Sequence, residues 1–438
     1  MGKPLVKLFV NKGCFYLYDA CKNKVLSLSY QAFNEINNHL IFPDYTSNTI
    51  ISLKRKGYLL ESEITKLEHP FTPYVEKLLN THMSSLILQV TQNCNFSCRY
   101  CSFAYNNNGG RIHSKNTMTF DIAKKSIDFL SEHCCDSSEI AISFYGGEPL
   151  LNIDLIDKCI EYAEKTIYNK PIKYYMTTNF YLATEEIMTF LVNNNFYLLI
   201  SLDGPEDVQN KHRRLASNGE GTYSKVVENI KLLKNKFPDY YNSQVQFNPV
   251  VYYDENPGEI IDFFSNVLEI NYDKIRLQRV NTTGINISFD PIEYSQNQGV
   301  SYFDARTDSD YKEIINDKNC ITSCYHINGS CVPGADKLFV TVEGEFFPCE
   351  KANECNKNMQ IGSIYTGFNY EKIKYLMNMG HINEENCMNC WAIRFCNRCC
   401  VHCDDGESNL SEKMMFDLCK NTKNNVLSFL KRFTDALN

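Results

Sequence analysis

The sequence predicts a mixed α/β protein built around an open, partial barrel of six strand–helix units, with a small β-rich unit in front and a cysteine-rich unit behind. Three observations predict it. Between Ser85 and about Val280, β-prone runs alternate with helical segments six times. The first eighty residues instead carry short alternating runs parted by turn residues, and eleven of the 20 cysteines lie from Cys320 to Cys403.

In chain order, PLVKLFV, CFYLYDA and KVLSLS alternate with period two and are separated by Asn11, Gly13 and Asn23. That is the pattern of a three-stranded antiparallel sheet. The helical stretches YQAFNEINNHL and NTIISLKRKGYLL follow. Residues 1–80 therefore read as a self-contained unit of three strands and a few helices. An exposed edge strand in such a unit can take up an extended peptide by main-chain pairing.

Residues 81–310 supply the barrel, with SLILQVT, EIAISFY, IKYYMTT, FYLLISL, VQFNPVVY and KIRLQRV as strands. Between them, TFDIAKKSIDFL places Phe120, Ala123, Ile127 and Leu130 on one helical face. Alternation of this kind argues for a parallel sheet with helices outside. Six units fall short of a full eight-unit barrel, so an open (β/α)6 TIM-like architecture is expected. Ligands then gather at the C-terminal ends of the strands, where the unusual residues fall. CxxxCxxC (Cys94, Cys98, Cys101) follows the first strand, GGEP (Gly146 to Pro149) the second and TTN (Thr177 to Asn179) the third, while SLDGP (Ser201 to Pro205) surrounds the end of the fourth. Residues 311–438 hold most of the cysteine and a hairpin-like KLFVTVEGEFFPC.

A formal charge of -8 and a pI near 5.7 leave no global positive field for a nucleic-acid backbone, so a peptide or small molecule fits better. The sequence has neither the apolar core of a signal peptide nor a run of about 18 apolar residues, so no membrane partner is expected and the reading is cytoplasmic. In that reducing compartment, crowded cysteines point to metal rather than to disulfides.

Thiolate selects zinc, copper(I) or iron–sulfur clusters. A closed zinc site needs a fourth ligand beside Cys94, Cys98 and Cys101, and the closest downstream histidine is His113. A 4Fe-4S cube held by three cysteines instead keeps one iron open for a substrate or cofactor.

CNFSCRYC, with Tyr100 just before the last cysteine, resembles the signature of radical S-adenosylmethionine enzymes, and GGEP, TTN and SLDGP stand in that family's order. The resemblance implies S-adenosylmethionine on the open iron and its reductive cleavage to a 5'-deoxyadenosyl radical, fed by a low-potential electron donor. It also implies roles. Gly146 and Gly147 would allow close backbone approach to the cofactor, Glu148 would receive its ammonium, Ser201 and Asp203 its ribose hydroxyls, and Tyr100 and Asn179 would be further contacts. An arginine would pair with its carboxylate; RRLASNGEGTY offers Arg213 and Arg214, and the glycines Gly219 and Gly221 favour Arg214.

In the last third, Cys331-x12-Gly344-x4-Cys349 is followed by Cys387-x2-Cys390-x5-Cys396-x3-Cys400 and then Cys419. This is similar to the seven-cysteine SPASM extension, which carries two auxiliary 4Fe-4S clusters. The resemblance assigns Cys324, Cys331, Cys349 and Cys400 to the first and Cys387, Cys390, Cys396 and Cys419 to the second. Cys320 competes with Cys324, and Cys355, Cys399 and Cys403 are left over. Glu350, next to Cys349, is the candidate acid for taking a substrate proton.

Three strands and a few helices ahead of such a barrel resemble the winged-helix-like precursor-peptide recognition domain of enzymes that modify ribosomal peptides. The whole is thus expected to be a peptide maturase that binds a precursor peptide through its leader. Thioether formation from a cysteine to a carbon is the leading reaction, followed by carbon–carbon cross-linking. An anaerobic sulfatase-maturating enzyme and a zinc-binding interaction scaffold are the alternatives.

Overall fold

The computed structural model describes residues 3–101, 113–252, 255–279, 311–327, 329, 331–407 and 409–436. At the front, β1 (Val6–Asn11), β2 (Cys14–Asp19) and β3 (Lys24–Leu28) form the expected antiparallel sheet in that order. Ser29 caps the helix Tyr30–Ile41 by accepting from the Ala32 N–H, and Ser47 caps Asn48–Arg55 through the Ile50 N–H. The second helix is shorter than its apolar pattern, because the chain turns through positive φ at Gly57 and Leu59. Leu17, Ile36, Ile50 and Leu59 close a small core of their own.

This unit is fastened to the cysteine-rich part. The ring of Tyr18 meets those of Trp391 and Phe395, and Arg394 Nε donates to the Ala20 carbonyl at 2.6 Å. The Asn11 amide at the end of β1 donates to Thr434 and Asp435 on the long C-terminal helix Glu412–Asp435. Among the described residues, β3 has a strand partner on one side only.

Past the short β4 (Lys66–Leu67) comes the barrel. Its sheet strands are β5 (Ser85–Thr91), β7 (Ile140–Gly146), β8 (Ile172–Thr178), β9 (Tyr197–Ile200) and β11 (Val245–Phe247), each parallel to the next. Outside it, β6 (Phe96–Cys98) and β10 (Arg213–Leu215) pair antiparallel. Thr119 caps the helix Phe120–His133, whose buried Ala123, Ile127 and Leu130 are three of the four residues expected on its inner face.

Two features depart from the expected six units. VQFNPVVY breaks at Pro249, which has no N–H to donate, so β11 ends at Phe247 and β12 (Val250–Val251) resumes beyond it. The sixth strand shrinks to a bridge between Ile275 and Phe247 and to β13 (Gln278–Arg279), which pairs with β12. On the other side, the sheet does not stop at β5. After β14 (Cys324–Tyr325), which pairs with β4, the predicted hairpin appears as β15 (Leu338–Val340) and β16 (Glu345–Phe347), with Gly344 at φ +84° in its turn. β15 lies parallel to β5, Phe339 opposite Ile87, and β17 (Gly362–Ser363) and β18 (Gly367–Phe368) complete a nine-stranded sheet. Six of the seven β5 residues are buried, so the main-chain groups on both of its edges need partners.

No helix among the described residues is long and apolar enough to cross a membrane.

Candidate active site

The CxxxCxxC loop is held by its own short sheet. Cys98 stands opposite Arg213 across β6 and β10, the Arg99 N–H donates to the His212 carbonyl at 2.9 Å, and the Cys101 N–H reaches the Cys98 carbonyl at 3.2 Å. The Phe96 N–H points at Cys94 Sγ at 3.4 Å. Burial, then the negative charge of Glu148, pushes the Cys94 thiol far up; burial also raises Cys98 to about 12, opposed by Arg213. Each of the two thiols also feels Cys101. Two buried thiols reluctant to ionise alone, with Cys101 beside them, suit a cationic iron–sulfur group, which binds thiolates. His113, the zinc-type candidate, has its Nε2 3.6 Å from Cys101 Sγ, and residues 102–112 between them lie outside the described residues.

GGEP packs directly on that loop. The Gly147 N–H donates to the Thr91 carbonyl and the Glu148 N–H to the Asn93 carbonyl, both at 2.9 Å. A Cβ on Gly146 would stand 2.1 Å from the Thr91 oxygen, and one on Gly147 would stand 2.2 Å from the Asn93 oxygen and 3.0 Å from Cys94 Cβ. The close approach that requires the glycines is therefore to the backbone leading into Cys94. Fully buried Glu148 accepts from Thr178 Oγ1 (2.6 Å), the Leu150 N–H (3.1 Å) and the Asn179 N–H (2.7 Å). Burial pushes its carboxyl up to about 7 against these bonds. The Asn179 side-chain amide donates to Asn95 Oδ1 at 2.8 Å, inside the cysteine loop, and buried Ser201 is tied through its N–H to the Thr178 carbonyl.

Alternation along β10 separates the two arginines that the sequence left side by side. Arg213 turns inward and is 7% exposed; its Nε meets Asp203 Oδ2 at 3.0 Å and its guanidinium lies 5.3 Å from the Tyr100 ring centre. Arg214 turns outward, donates to the Gly219 carbonyl and lines an open surface cleft with Arg99, Glu206 and Lys211. Asp203 is wholly buried and faces no open space: Oδ2 also accepts from the Tyr100 hydroxyl at 2.6 Å, and Oδ1 from the Val250 N–H at 3.0 Å.

In the last third, Cys387, Cys390, Cys396 and Cys419 line one cavity of about 60 Å³, together with Ile327, Ile393 and Lys423. Burial, then Cys419, Cys396 and Cys390, raises the Cys387 thiol, so the four act on one another. The charges of Cys399, Cys331 and Cys349 are felt at buried Cys400. Exposed Cys324 sits in β14, opposite Lys66 of β4, with its Sγ 3.8 Å from the Glu68 carbonyl. Among the described residues, no three His, Cys, Asp or Glu side chains converge as ligands of a single ion do.

Glu350 is placed against Lys337, Oε1 3.6 Å from Nζ. A different acid reaches the end of β5. Glu354 accepts from Gln89 Nε2 at 2.8 and 3.1 Å and from Gln92 Nε2 at 3.4 Å, two residues before Cys94. Its neighbourhood in the sequence, NEC, has no spacing or periodicity to announce it, because the β15–β5 seam alone brings it there.

The model of the Radical SAM superfamily matches residues 88–267. The radical SAM cyclopropyl synthase TigE of Paramaledivibacter caminithermalis is 25% identical over 411 residues, covering 87% of this chain and 80% of its own. A cysteine-type anaerobic sulfatase-maturating enzyme of Clostridium perfringens is 25% identical over 366 residues, 75% of this chain and 91% of its own. The fold matches native anSMEcpe with bound AdoMet at a TM-score of 0.58 and 20% identity, over 81% of this chain and 99% of that one. These relatives are enzymes, which removes the zinc-binding scaffold as a reading. Residues 88–267 are thus a radical SAM domain, in a chain homologous to the SPASM-type sulfatase maturases and the radical SAM cyclopropyl synthase, with cysteines that suit 4Fe-4S clusters.

Proposed function

We propose that the enzyme matures a ribosomally made peptide, holding its leader on the N-terminal unit and joining two of its residues after hydrogen abstraction. Cys94, Cys98 and Cys101 would hold a 4Fe-4S cluster, which when bound would supply one-electron reductive cleavage of S-adenosylmethionine. Glu148 takes the cofactor's ammonium, and Arg213 rather than Arg214 its carboxylate, since Arg213 alone faces Cys98. Ser201 and Asn179 are left for the ribose side. Asp203 acts through others, fixing the Arg213 guanidinium at 3.0 Å and the Tyr100 hydroxyl at 2.6 Å. Cys331, Cys349 and Cys400, and Cys387, Cys390, Cys396 and Cys419, would hold the auxiliary clusters, which would accept the electron left when the substrate radical closes its bond and gives up a proton. Glu354 has better access to the barrel mouth than Glu350 for accepting a substrate proton.

The observation that carries the peptide reading is the N-terminal sheet with its open β3 edge, suited to pairing with an extended leader. The match to anSMEcpe supports it: that chain is covered almost whole while about a fifth of this one is left over. So does the structure of anSMEcpe with bound AdoMet and Cp18Cys peptide, at a TM-score of 0.56. Carbon–carbon bond formation now precedes thioether formation, because the relative that runs over 87% of the chain is a cyclopropyl synthase.

The test is anaerobic turnover of the peptide encoded beside the gene. A product lighter by two hydrogens with every cysteine still alkylatable supports the carbon–carbon bond, and loss of one alkylatable thiol supports the thioether. Turnover of a leaderless sulfatase-type peptide after removal of residues 1–80 would return the sulfatase-maturating reading.

A further inference from the structure

We infer that Lys423, one helical turn beyond Cys419, tunes the second auxiliary cluster, its ammonium making the cluster on Cys387, Cys390, Cys396 and Cys419 easier to reduce. The inference rests on the twin-cluster reading above and deepens it.

The placement is geometric. The long helix Glu412–Asp435 puts Phe416, Cys419, Thr422 and Lys423 on one face, and all four line the cavity of about 60 Å³ that Cys387, Cys390 and Cys396 share. Helical side chains lean toward the N-terminus, so Lys423 covers the turn that carries Cys419. Among the described residues that line the cavity, Lys423 is the one cation, and it forms no ion pair. The polar groups around it are neutral and satisfied: Asn386 Nδ2 donates to Asn383 Oδ1 at 2.6 Å, and Thr422 Oγ1 donates to the Leu418 carbonyl at 3.1 Å. A second cation, Arg398, is tied down by its Nε, which donates to Thr422 Oγ1 at 3.1 Å. Glu384, three residues before Cys387, is turned toward β4, where it accepts from the Leu67 N–H at 3.3 Å.

Burial raises the thiols of Cys387, Cys390 and Cys419, and the charge of Lys423 opposes it at all three. The potential of an iron–sulfur cluster follows the net charge around it, the hydrogen bonds to its sulfurs and its exposure. Reduction adds a negative charge, which a nearby fixed cation favours, and the half-buried position of Lys423 leaves that attraction only partly screened by water. The cysteine loop of the radical site is arranged differently. There the cation beside Cys98 is Arg213, whose charge is offset by Asp203 at 3.0 Å. An uncompensated lysine in one place and a paired arginine in the other set the two sites apart, the cavity of Cys387 and Cys419 being the better seat for an incoming electron.

The test is a redox titration of the full-length, iron-loaded protein, poised anaerobically with dithionite and mediators and followed by EPR. The signal of the second auxiliary cluster is the one that Cys419→Ala removes. In Lys423→Met and Lys423→Gln the equilibrium constant for its reduction should fall about tenfold, about 59 mV for one electron, while the other signals stay in place and Lys423→Arg behaves as wild type. A change of less than about twofold, an equal change in every signal, or a Lys423→Arg that follows Lys423→Met overturns the inference. So does the loss of about a third of the iron from both neutral variants, which would make the lysine a requirement for assembly instead. Failure of the twin-cluster reading would look different: Cys419→Ala would keep every signal and all of its iron.

Discussion

Replacing Arg213 by methionine tests whether charge pairing organises the floor of the radical site. The arginine side chain is 8% exposed, the Asp203 carboxylate 0%, and they meet at 3.0 Å. Removing one partner of a buried pair costs about 3–5 kcal/mol, because the other charge remains without compensation. Asp203 keeps the Tyr100 hydroxyl and the Val250 N–H, which places the expectation at the low end, about 3 kcal/mol. Arg214→Met removes an outward guanidinium bound to one carbonyl and should cost about 0.5 kcal/mol or less. Neutralising the carboxylate as well, in Arg213→Met/Asp203→Asn, should return part of the loss as a coupling of at least about 1 kcal/mol. The assay is the thermal midpoint of anaerobic, iron-loaded protein, where about 3 kcal/mol in a barrel of this size is roughly 6–12 °C. Equal shifts for Arg213→Met and Arg214→Met, or strict additivity in the double variant, would refute the reasoning.

Gly147→Ala drives a methyl group into the Asn93 carbonyl, a backbone atom that cannot rotate away, and should cost about 1–3 kcal/mol and reduce the EPR signal of the radical cluster while the auxiliary signals persist; loss of all signals together speaks against a local effect. Because burial raises the Glu148 carboxyl to about 7 in the folded state from an ordinary 4.5, the folded protein holds that proton more tightly than the unfolded chain. The stability it contributes is therefore complete below about pH 4.5 and is lost as pH rises through about 7, so wild type should lose thermal midpoint relative to Glu148→Gln between about pH 4.5 and 7, and parallel curves would count against it. Stripping iron should open the Cys387–Cys419 segment to proteolysis before the β5–β9 sheet, read by mass spectrometry of the first fragments; simultaneous cleavage would mean that the metal holds more than the extension. Adding the leader should slow amide exchange in Lys24–Leu28 more than in β1, and no change at β3 would remove it as the docking edge.

The sequence made the local elements legible wherever chemistry repeats at short range. Ser29, Ser47 and Thr119 mark helix starts and accept the expected N–H bonds, and the period of SLILQVT, EIAISFY and IKYYMTT returns as three adjacent parallel strands. Motif order brought Glu148, Asn179 and the cysteine loop to one end of the sheet, where hydrogen bonds join them. What the sequence could not show depends on which face a residue takes or on contacts hundreds of positions apart. Arg213 and Arg214 differ by one step of strand alternation, and that step decides burial. Glu354 reaches Gln89 across 265 positions, and Cys324 is claimed by β4 across 258. No pattern within a window of twenty residues contains either.

The pairing of β15 with β5 also bears on how such enzymes can be recombined. Because Leu338, Phe339 and Val340 continue the hydrogen-bonded ladder begun by Leu86, Ile87 and Leu88, the tail cannot be treated as a detachable cassette. A chimera spliced near residue 310 would unzip the strand that delivers Cys94, baring a long apolar edge that invites aggregation. Crossovers placed ahead of Ser85 leave that ladder intact, but an exchanged front unit must bring its own partners for Arg394 and for β14, so front unit and tail have to travel together.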